Sequence, residues 1–495
     1  MLQQADIDTL RDKTVPPRGL VINGDVKPSR SGATLTVISP IDGCELTTIA
    51  SAGAEDVDDA VSAARGSFDN GVWSQASPAE RKKVLFRVAE LIEQHALELA
   101  VLGVRDNGTE IRMAMRGEPG SAAASFRFYA EAIDKVGGEV ANTASNYFGM
   151  AQREPVGVVG AIVPWNFPLM IGAWKLAPAL AVGNSVVIKP AESASLSLLR
   201  LAELAMEAGL PEGVLNVVTG RGSVTGEALA MHMDVDVLAF TGSGTTGRRL
   251  LEYSAQSNIK RVFLELGGKS PNIVFADAAD FDAAVKGSVN GMFRNSGQVC
   301  VAGSRLLVQK SIAEEFIAKL VAAANALKVG DPLNLDSDIG AISNEEQLHK
   351  DLEFVGVARN EGATLAAGGN RILQETGGYY MQPTVFTGVD SQMTIAQEEV
   401  FGPVLSVIEF DDIEDAIRIA NATRYGLAAG VWTSNLTTAH RMVRAIRSGV
   451  VHVNCYGGAS LSLPLGGMKQ SGYGYDRSLH ALDKFTSLKT AWFSH

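Results

Sequence analysis

The spacing of apolar and polar positions changes along this chain. From residue 56 to about 102 apolar residues recur three to four apart, which predicts helices. From residue 156 onward short apolar runs alternate with helical segments. The runs VGVVGAIV, SVVIKP, GVLNVV and VDVLAF predict buried strands, and VTGEALAMHMD predicts one of the helices between them. This alternation predicts right-handed β-α-β units and a parallel sheet.

The same rhythm restarts near Ser270 and predicts a second α/β unit. Its segments are PNIVFAD, a helix, SRLLVQ, another helix and the later strand VLSVIEF. The longest apolar stretch, 156–183, is interrupted by prolines, Asn166 and Lys175, so we expect a buried strand and helix there and no membrane partner. The final segment, LDKFTSLKTAWF, fits either a strand that pairs outside its own domain or an ordinary docked tail.

Length and composition narrow the class of protein. A chain of 495 residues predicts two or three domains. The net charge of −12 argues against a nucleic-acid partner. Three cysteines, Cys44, Cys300 and Cys455, form no disulfide framework, which favours a reducing, cytoplasmic location. Without C-x-x-C spacing or clustered histidines, the sequence predicts no metal site.

One segment carries a dinucleotide-binding pattern. Gly242, Gly244 and Gly247 follow an apolar run in the spacing G-x-G-x-x-G, and Glu265 ends the next apolar run. The fingerprint would place Glu265 on a ribose. Glu192, just past the strand-like SVVIKP, has the same geometry, and spacing does not choose between the two acids.

Three other positions have both a chemical and a structural interpretation. Cys300 follows a glycine-containing loop, so it is either a nucleophile or a small buried apolar residue. Asn166 lies among apolar residues, where its amide must be satisfied or serve a developing oxyanion. Glu398 and Glu399 precede a Gly-Pro turn, and paired carboxylates of this kind are usually solvated.

Taken together, these segments resemble the aldehyde dehydrogenase superfamily. The motifs, in order, are VPWNFPL, KPAE, FTGSGTTG, LELGGKSPN, GQVC, EEVFGPV and PLGGMKQSGYG. The resemblance implies an α/β aldehyde dehydrogenase fold in three parts. These are a Rossmann-like NAD-binding domain (1–125 and 151–262), an α/β catalytic domain (263–475) and a β-strand oligomerisation arm (126–150 and 476–495).

The resemblance also assigns catalytic roles for the oxidation of an aldehyde to a carboxylic acid. Cys300 matches the nucleophile, which forms a thiohemiacetal and then a thioester. Asn166 matches the oxyanion donor, Glu265 matches the base that activates water for thioester hydrolysis, and Lys175 belongs to the same set. A branch that transfers the acyl group to coenzyme A, and an inactive NAD-binding scaffold, are the alternatives. The retained Glu265 argues against the first, and the complete catalytic set argues against the second.

NAD is the cofactor that the resemblance implies, because Glu192 would repel the 2′-phosphate of NADP. The segment around Ser243 matches a helix start near the pyrophosphate, with Gly244 in a position where Thr is usual. The matching cofactor-binding residues are Ile162, Val163, Pro164, Trp165, Lys189, Ala191, Glu192, Gly222, Gly226, Phe240, Thr241, Gly242, Ser243, Thr246, Leu266, Gly267, Glu399 and Phe401.

Within the superfamily the chain is most similar to dehydrogenases of γ-glutamyl-γ-aminobutyraldehyde and related ω-amino or guanidino aldehydes. However, the loop 457–463 has no acid, and Arg294 stands where Phe is common. A neutral aldehyde is therefore equally expected, and Arg294 would favour an acidic one if it faces the tunnel. The implied assembly is a homodimer or homotetramer with exchanged strands. The matching substrate-pocket residues are Phe167, Ile171, Trp174, Val299, Val301 and Leu465.

Overall fold

The computed structural model describes residues 2–458 and 460–495. The helices are α1 Gln4–Arg11, α2 Ala54–Asp69, α3 Pro78–Gln94, α4 Ala96–Asn107, α5 Ile111–Gly117, α6 Pro119–Ala132, α7 Pro168–Ala181, α8 Leu196–Glu207, α9 Glu227–Met231, α10 Gly244–Gln256, α11 Phe281–Phe293, α12 Ala313–Asn325, α13 Glu345–Asn360, α14 Thr394–Gln397, α15 Ile413–Asn421 and α16 Leu436–Ala445.

The strands are β1 Leu20–Ile22, β2 Asp25–Lys27, β3 Thr34–Ile38, β4 Glu45–Ala50, β5 Glu139–Ala141, β6 Tyr147–Pro155, β7 Val158–Ile162, β8 Ser185–Lys189, β9 Leu215–Val217, β10 Val237–Thr241, β11 Arg261–Glu265, β12 Pro271–Val274, β13 Arg305–Gln309, β14 Thr364–Ala367, β15 Arg371–Ile372, β16 Tyr380–Met381, β17 Thr384–Thr387, β18 Val404–Phe410, β19 Ala428–Trp432, β20 Val450–Val453, β21 Gly472–Tyr473 and β22 Thr486–Ser494.

The first large sheet has the order β2-β1-β9-β8-β7-β10-β11-β21. Its five central strands, in the sheet order β9-β8-β7-β10-β11, are parallel, as the alternating pattern predicts. The chain order reverses between β7 and β10, which is where ligands bind in open α/β sheets. Strands β7 and β8 are buried at every position because the sheet is covered on both faces.

The second large sheet has the order β14-β17-β18-β13-β12-β19-β20. All neighbours in it are parallel except β14 and β17. This sheet is the predicted second α/β unit. The late strand β21 returns to the first sheet and pairs with β11, opposite Glu265.

A third sheet, β22-β6-β5, is antiparallel. The two longest strands, β6 and β22, pair along their full nine residues, so the tail is a strand. Tyr147 and Phe148 lie beside Trp492 and Phe493, with ring centroids 5.3 and 5.8 Å apart. All four aromatic side chains are exposed.

The structure corrects the bounds of one predicted helix and shows whether any helix could span a membrane. The helix predicted over VTGEALAMHMD is wrong in its bounds, because a π-helical turn, Gly222–Gly226, precedes the short helix Glu227–Met231. At the start of this segment the Thr225 hydroxyl donates to the carbonyl of Ala52 at 2.7 Å. At its end the backbone of His232 is extended, so the helix stops at Met231. Within residues 2–458 and 460–495 no helix is long and apolar enough to span a membrane.

Candidate active site

The carboxyl edge of the first sheet faces a loop of the second. Glu265 is the last residue of β11, Asn166 lies between β7 and α7, and Cys300 lies in the loop that leads into β13. The electrostatic influence of Glu265 reaches the Cys300 thiol, and Asn166 bonds the Cys300 loop. The structure therefore brings the three residues together although they are far apart in sequence.

The loop before Cys300 has an unusual backbone. Asn295 and Ser296 have φ angles of 49° and 53°, which are uncommon for residues other than glycine. The Thr109 hydroxyl donates to Asn295 Oδ1 at 2.8 Å, and the Ser296 hydroxyl donates to the Gly340 carbonyl at 3.1 Å. These buried bonds hold a strained turn that fixes the position of Cys300.

The Cys300 side chain is half-buried and free of any disulfide. Burial raises the pKa of its thiol to about 12, and the carboxylates of Glu399 and Glu265 add to this effect. The backbone N–H groups of Val301 and Cys300 act in the opposite direction, lowering the pKa. The main-chain donors therefore offset only part of the effect of burial on the thiolate, and the same donors would serve an oxyanion.

Asn166 is buried beside the same loop. Its side-chain NH₂ donates to the Gln298 carbonyl at 2.9 Å, which uses one of its two hydrogens. Its Oδ1 is buried with no hydrogen-bond partner among the described residues. The second N–H is therefore available to a ligand oxygen next to Cys300.

Glu265 is buried, and burial raises the pKa of its carboxyl well above the ordinary range. The negative charge of Asp476 raises this pKa further, whereas Lys175 and Lys484 oppose the change. Its Oε1 has no hydrogen-bond partner among the residues that the structure describes. A buried, unpaired carboxyl with a raised pKa suits a general base.

Asp476 joins two buried lysines in what we term the Lys–Asp–Lys cluster, formed by Lys175, Asp476 and Lys484. Lys175 Nζ lies 2.5 Å from Asp476 Oδ2, and Lys484 donates to the other carboxylate oxygen. All three side chains are at most 3% exposed. Burial alone would raise the pKa of Asp476, but the two lysines lower it below the ordinary value.

The first part of the predicted cofactor site lies beyond β7 and β8. Lys189 Nζ is 3.3 Å from Glu192 Oε2, and the Glu192 side chain is 45% exposed. A Cβ on Gly226 would lie 3.6 Å from the Lys189 side chain and 4.0 Å from that of Ile162. Ile162, Lys189, Glu192 and the turn Gly222–Gly226 thus share one corner, where the acid is accessible to a ribose.

The second part is the start of α10. Ser243 caps this helix by accepting from the Thr246 N–H at 3.2 Å, and its open amino end suits a pyrophosphate. A Cβ on Gly247 would lie 2.9 Å from Leu266, so this glycine permits close packing of helix and strand. A Cβ on Gly244 would meet only Arg248 Nη1, at 3.5 Å. The middle glycine of the fingerprint is therefore not sterically required.

The third part lies beside the turn that follows Glu265. Glu399 Oε1 accepts from the Gly268 N–H at 2.9 Å, and a Cβ on Gly267 would overlap the Glu399 carboxylate. Burial raises the pKa of Glu399 to about 7. The rings of Trp165 and Phe401 meet edge to face at 5.2 Å.

The remaining predicted cofactor positions differ in what their side chains contact. Val163, Phe240 and Leu266 pack their side chains into the hydrophobic core. The N–H groups of Val163 and Leu266 donate to the carbonyls of Lys189 and Ser471. Thr241 pairs in register with Glu265, and its buried hydroxyl has no partner among the described residues. Gly242 donates its N–H to the Glu265 carbonyl at 3.1 Å, while Pro164 and Ala191 are half-buried at the same edge. These observations fit a dinucleotide lying across the switch point, with an acid, a helix terminus and orphaned polar groups along it.

A cavity of about 530 Å³, here termed the Cys300 cavity, opens beside the thiol. Each predicted substrate-pocket residue lines it, namely Phe167, Ile171, Trp174, Val299, Val301 and Leu465. Arg294 also lines this cavity. The condition under which the sequence predicts that Arg294 favours an acidic aldehyde is therefore met. Among the described residues no group of three or more His, Cys, Asp or Glu side chains could hold a metal.

Sequence reasoning missed several residues of this site. Arg477 lines the Cys300 cavity and lies over the Trp174 ring at 5.4 Å, and Arg116 lines the cavity as well. Lys484 completes the Lys–Asp–Lys cluster from a segment that was assigned to the arm. The only sequence signal for Arg477 and Lys484 is the concentration of charged residues in YDRSLHALDK, which also contains Asp476 and Asp483. No local pattern shows that this segment reaches Glu265.

Comparisons with known proteins agree with this geometry. The model of the aldehyde dehydrogenase family matches residues 27–491. The NADP/NAD-dependent aldehyde dehydrogenase PuuC of Escherichia coli (strain K12) is 49% identical over 475 residues, which cover 96% of this chain and 95% of PuuC. Two solved structures each cover 100% of both chains. Indole-3-acetaldehyde dehydrogenase with NAD⁺ has a TM-score of 0.98 at 49% identity, and γ-glutamyl-γ-aminobutyraldehyde dehydrogenase of Burkholderia cenocepacia J2315 has 0.97 at 50%.

The chain therefore belongs to the aldehyde dehydrogenase family, and the predicted fold is confirmed. The predicted class of enzyme, an aldehyde dehydrogenase, is confirmed as well. So is the resemblance to γ-glutamyl-γ-aminobutyraldehyde dehydrogenases.

Proposed function

We propose that the protein oxidises an aldehyde to its carboxylic acid through a covalent intermediate on Cys300. The Cys300 thiolate attacks the aldehyde carbon, and the second N–H of Asn166 and the main-chain N–H of Cys300 donate to the oxyanion. Bound NAD would supply the acceptor for the hydride that leaves the substrate carbon, and Cys300 would then hold the acyl group as a thioester. Glu265 then takes a proton from the water that hydrolyses this thioester. The observation that carries the proposal is the convergence of Cys300, Asn166 and Glu265 at the carboxyl edge of the first sheet.

NAD is the cofactor in this proposal. Glu192 and Lys189 hold the adenine ribose, the start of α10 at Ser243 binds the pyrophosphate, and Glu399 with Phe401 positions the nicotinamide ribose. The half-exposed Glu192 carboxylate supports NAD over NADP, since it would repel a 2′-phosphate. Replacing Glu192 with Gln should raise the Kd for NAD and reduce the preference over NADP.

The catalytic assignment is tested by replacing the nucleophile. Cys300→Ala should abolish NADH formation from any aldehyde while NAD still binds, as measured by fluorescence titration. Cys455→Ala is the matched control, because Cys455 is exposed and should be dispensable. Turnover retained by Cys300→Ala would overturn the proposal. Turnover that required coenzyme A and released an acyl thioester would favour the acylating alternative.

The proposal extends to domains and assembly. Residues 1–125 with 151–262 form the NAD-binding domain, 263–475 the catalytic domain, and 126–150 with 476–495 an oligomerisation arm. The exposed apolar side chains on β5, β6 and β22 support an arm that packs against another subunit, since monomers rarely expose such a patch. We expect a homodimer or homotetramer, checked by light scattering, in which a monomer would contradict the assignment. The free cysteines support a cytoplasmic location.

A further inference from the structure

The charges around the Cys300 cavity have one sign. Three guanidinium groups line it, those of Arg116, Arg294 and Arg477. No Asp or Glu is present among the lining residues that the structure describes. A cavity of this kind repels a cationic substrate and attracts an anionic one.

Arg294 reaches the cavity from the strained loop before Cys300. Its guanidinium lies against Gly457, where an added Cβ would come within 3.1 Å of Nη1. Its Nε is buried with no hydrogen-bond partner, and none of its nitrogens forms an ion pair among the described residues. Burial lowers the pKa of Arg294, which shows that its charge is held away from water.

Arg477 reaches the cavity from the segment that follows β21. It is 7% exposed, and its Nε is also buried without a partner in the described chain. The neighbouring carboxylate of Asp476 is already occupied, because Lys175 and Lys484 bind its two oxygens. The Arg477 guanidinium therefore lies over the face of the Trp174 ring, and its Nε lacks a hydrogen-bond acceptor among the described residues.

A buried guanidinium, that of Arg477, and a half-buried one, that of Arg294, are costly without a bound carboxylate unless a ligand supplies one. Among the described residues, Glu110 acts on the charge of Arg294, and Asp476 and Glu265 act on that of Arg477. Burial raises the pKa of Glu110 to about 7 and that of Glu265 well above the ordinary range, so these two carboxyls offset the arginine charges only in part. A carboxylate accepts two parallel hydrogen bonds from one guanidinium, which neither a neutral nor a cationic aldehyde can do.

From this we infer that the preferred substrate is an aldehyde that carries a carboxylate, bound by Arg294 and Arg477 while its carbonyl lies at Cys300. The inference rests on the proposed function of Cys300. Sequence identity alone does not decide the substrate, because solved structures of nearly equal identity are named for an indole aldehyde and for a γ-glutamyl aldehyde.

A second cavity of about 580 Å³ shares Arg116, Arg294 and Gly457 with the first. Arg294 thus stands between two spaces, and the second is also lined by the acids Glu110 and Asp338, which oppose entry of a carboxylate. A carboxylate bound to Arg294 is therefore expected on the side of the Cys300 cavity.

The test compares matched aldehydes on the full-length enzyme with NAD. Succinic and adipic semialdehydes are compared with butanal and hexanal, and a trimethylammonium aldehyde serves as the cation. We expect kcat/KM for the acids to exceed that for the neutral aldehydes on the order of tenfold to a hundredfold, as for hydrogen bonds to a charged group. The cationic aldehyde should be the poorest substrate.

Arg294→Gln and Arg477→Gln should each lower kcat/KM for the acids much more than for hexanal, mainly through KM. Arg87→Gln is the control, since Arg87 is an exposed arginine on α3 that lines neither of the two cavities. Arg294→Lys, which keeps the charge but loses the two-pronged geometry, should show partial loss and guards against misfolding. Equal turnover of acid and neutral aldehydes by the wild type, or equal losses for both in the Arg294 variants, would overturn the inference. No turnover of any aldehyde would instead refute the proposed function.

Discussion

Replacing Asp476 with Asn tests how the Lys–Asp–Lys cluster supports Glu265. The change leaves Lys175 and Lys484 buried, each having lost its ion pair, because both side chains are at most 3% exposed. Removing one partner of a buried pair costs about 3–5 kcal/mol. We expect a loss of this size in the free energy of unfolding, measured by urea denaturation at neutral pH.

Asp483→Asn is the matched control. Asp483 pairs with Arg153 at 2.7 Å, but its side chain is 55% exposed, so its loss should cost at most about 1 kcal/mol. The pKa of Asp476 is depressed in the folded protein, so its stabilisation is present above the unfolded pKa of about 4 and is lost as pH falls through the folded value. The difference in the free energy of unfolding between wild type and Asp476→Asn should therefore become smaller at acidic pH.

The same variant has a kinetic signature. Asp476 raises the pKa of Glu265, and the two lysines lower it, so removing the acid should lower the pKa of Glu265. Because the base acts when deprotonated, the acidic limb of the kcat profile should move to lower pH in Asp476→Asn. Stability losses that are equal in the Asp476 and Asp483 variants, or a limb that moves to higher pH, would refute this reasoning.

Two further predictions concern the cofactor helix and the nucleophile. Gly244→Thr should preserve NAD affinity and activity because the position is open, whereas Gly247→Thr should impair folding or NAD binding because its Cβ would press on Leu266. Steady-state kinetics with soluble yield would check this, and equal effects of both changes would contradict it. Alkylation of Cys300 by iodoacetamide in the protein without NAD should be slow at neutral pH and keep accelerating above pH 9, because the thiol pKa is about 12. Glu399→Gln should lower that pKa and speed alkylation, and a reaction that levels off near neutral pH would contradict the account.

Much of the fold follows from the sequence because its signals are local. The runs 158–162 and 185–189 are apolar at nearly every position because the strands they form are covered by helices on both faces of the sheet. Ser243 caps a helix by accepting a hydrogen bond from the N–H of Thr246, three residues later. The boundary after Met231 was less predictable. The extended backbone of His232 ends the helix there, whereas the apolar pattern continues to Met233.

The site follows the same rule. Cys300, Asn166 and Glu265 stand in motifs that can be read along the chain, but the motifs do not show which residues surround them. Arg477 meets Trp174, and Asp476 meets Lys175, only because the segment after β21 packs against α7. Lys484, by contrast, lies on the same segment as Asp476. The charge balance of the Cys300 cavity, on which the substrate class depends, is therefore a property of the tertiary structure.

The fingerprint around Gly242 would place Glu265 on a ribose, whereas the structure has Glu265 buried and within electrostatic reach of Cys300, with Glu192 accessible at the cofactor corner. The most direct test is pre-steady-state NADH formation by Glu265→Gln, with Glu192→Gln as its control. The account predicts that Glu265→Gln binds NAD normally and releases one burst of NADH per active site before stalling at the thioester, whereas Glu192→Gln loses NAD affinity. A large loss of NAD affinity in Glu265→Gln, without a burst, would contradict the assignment of Glu265 as the base.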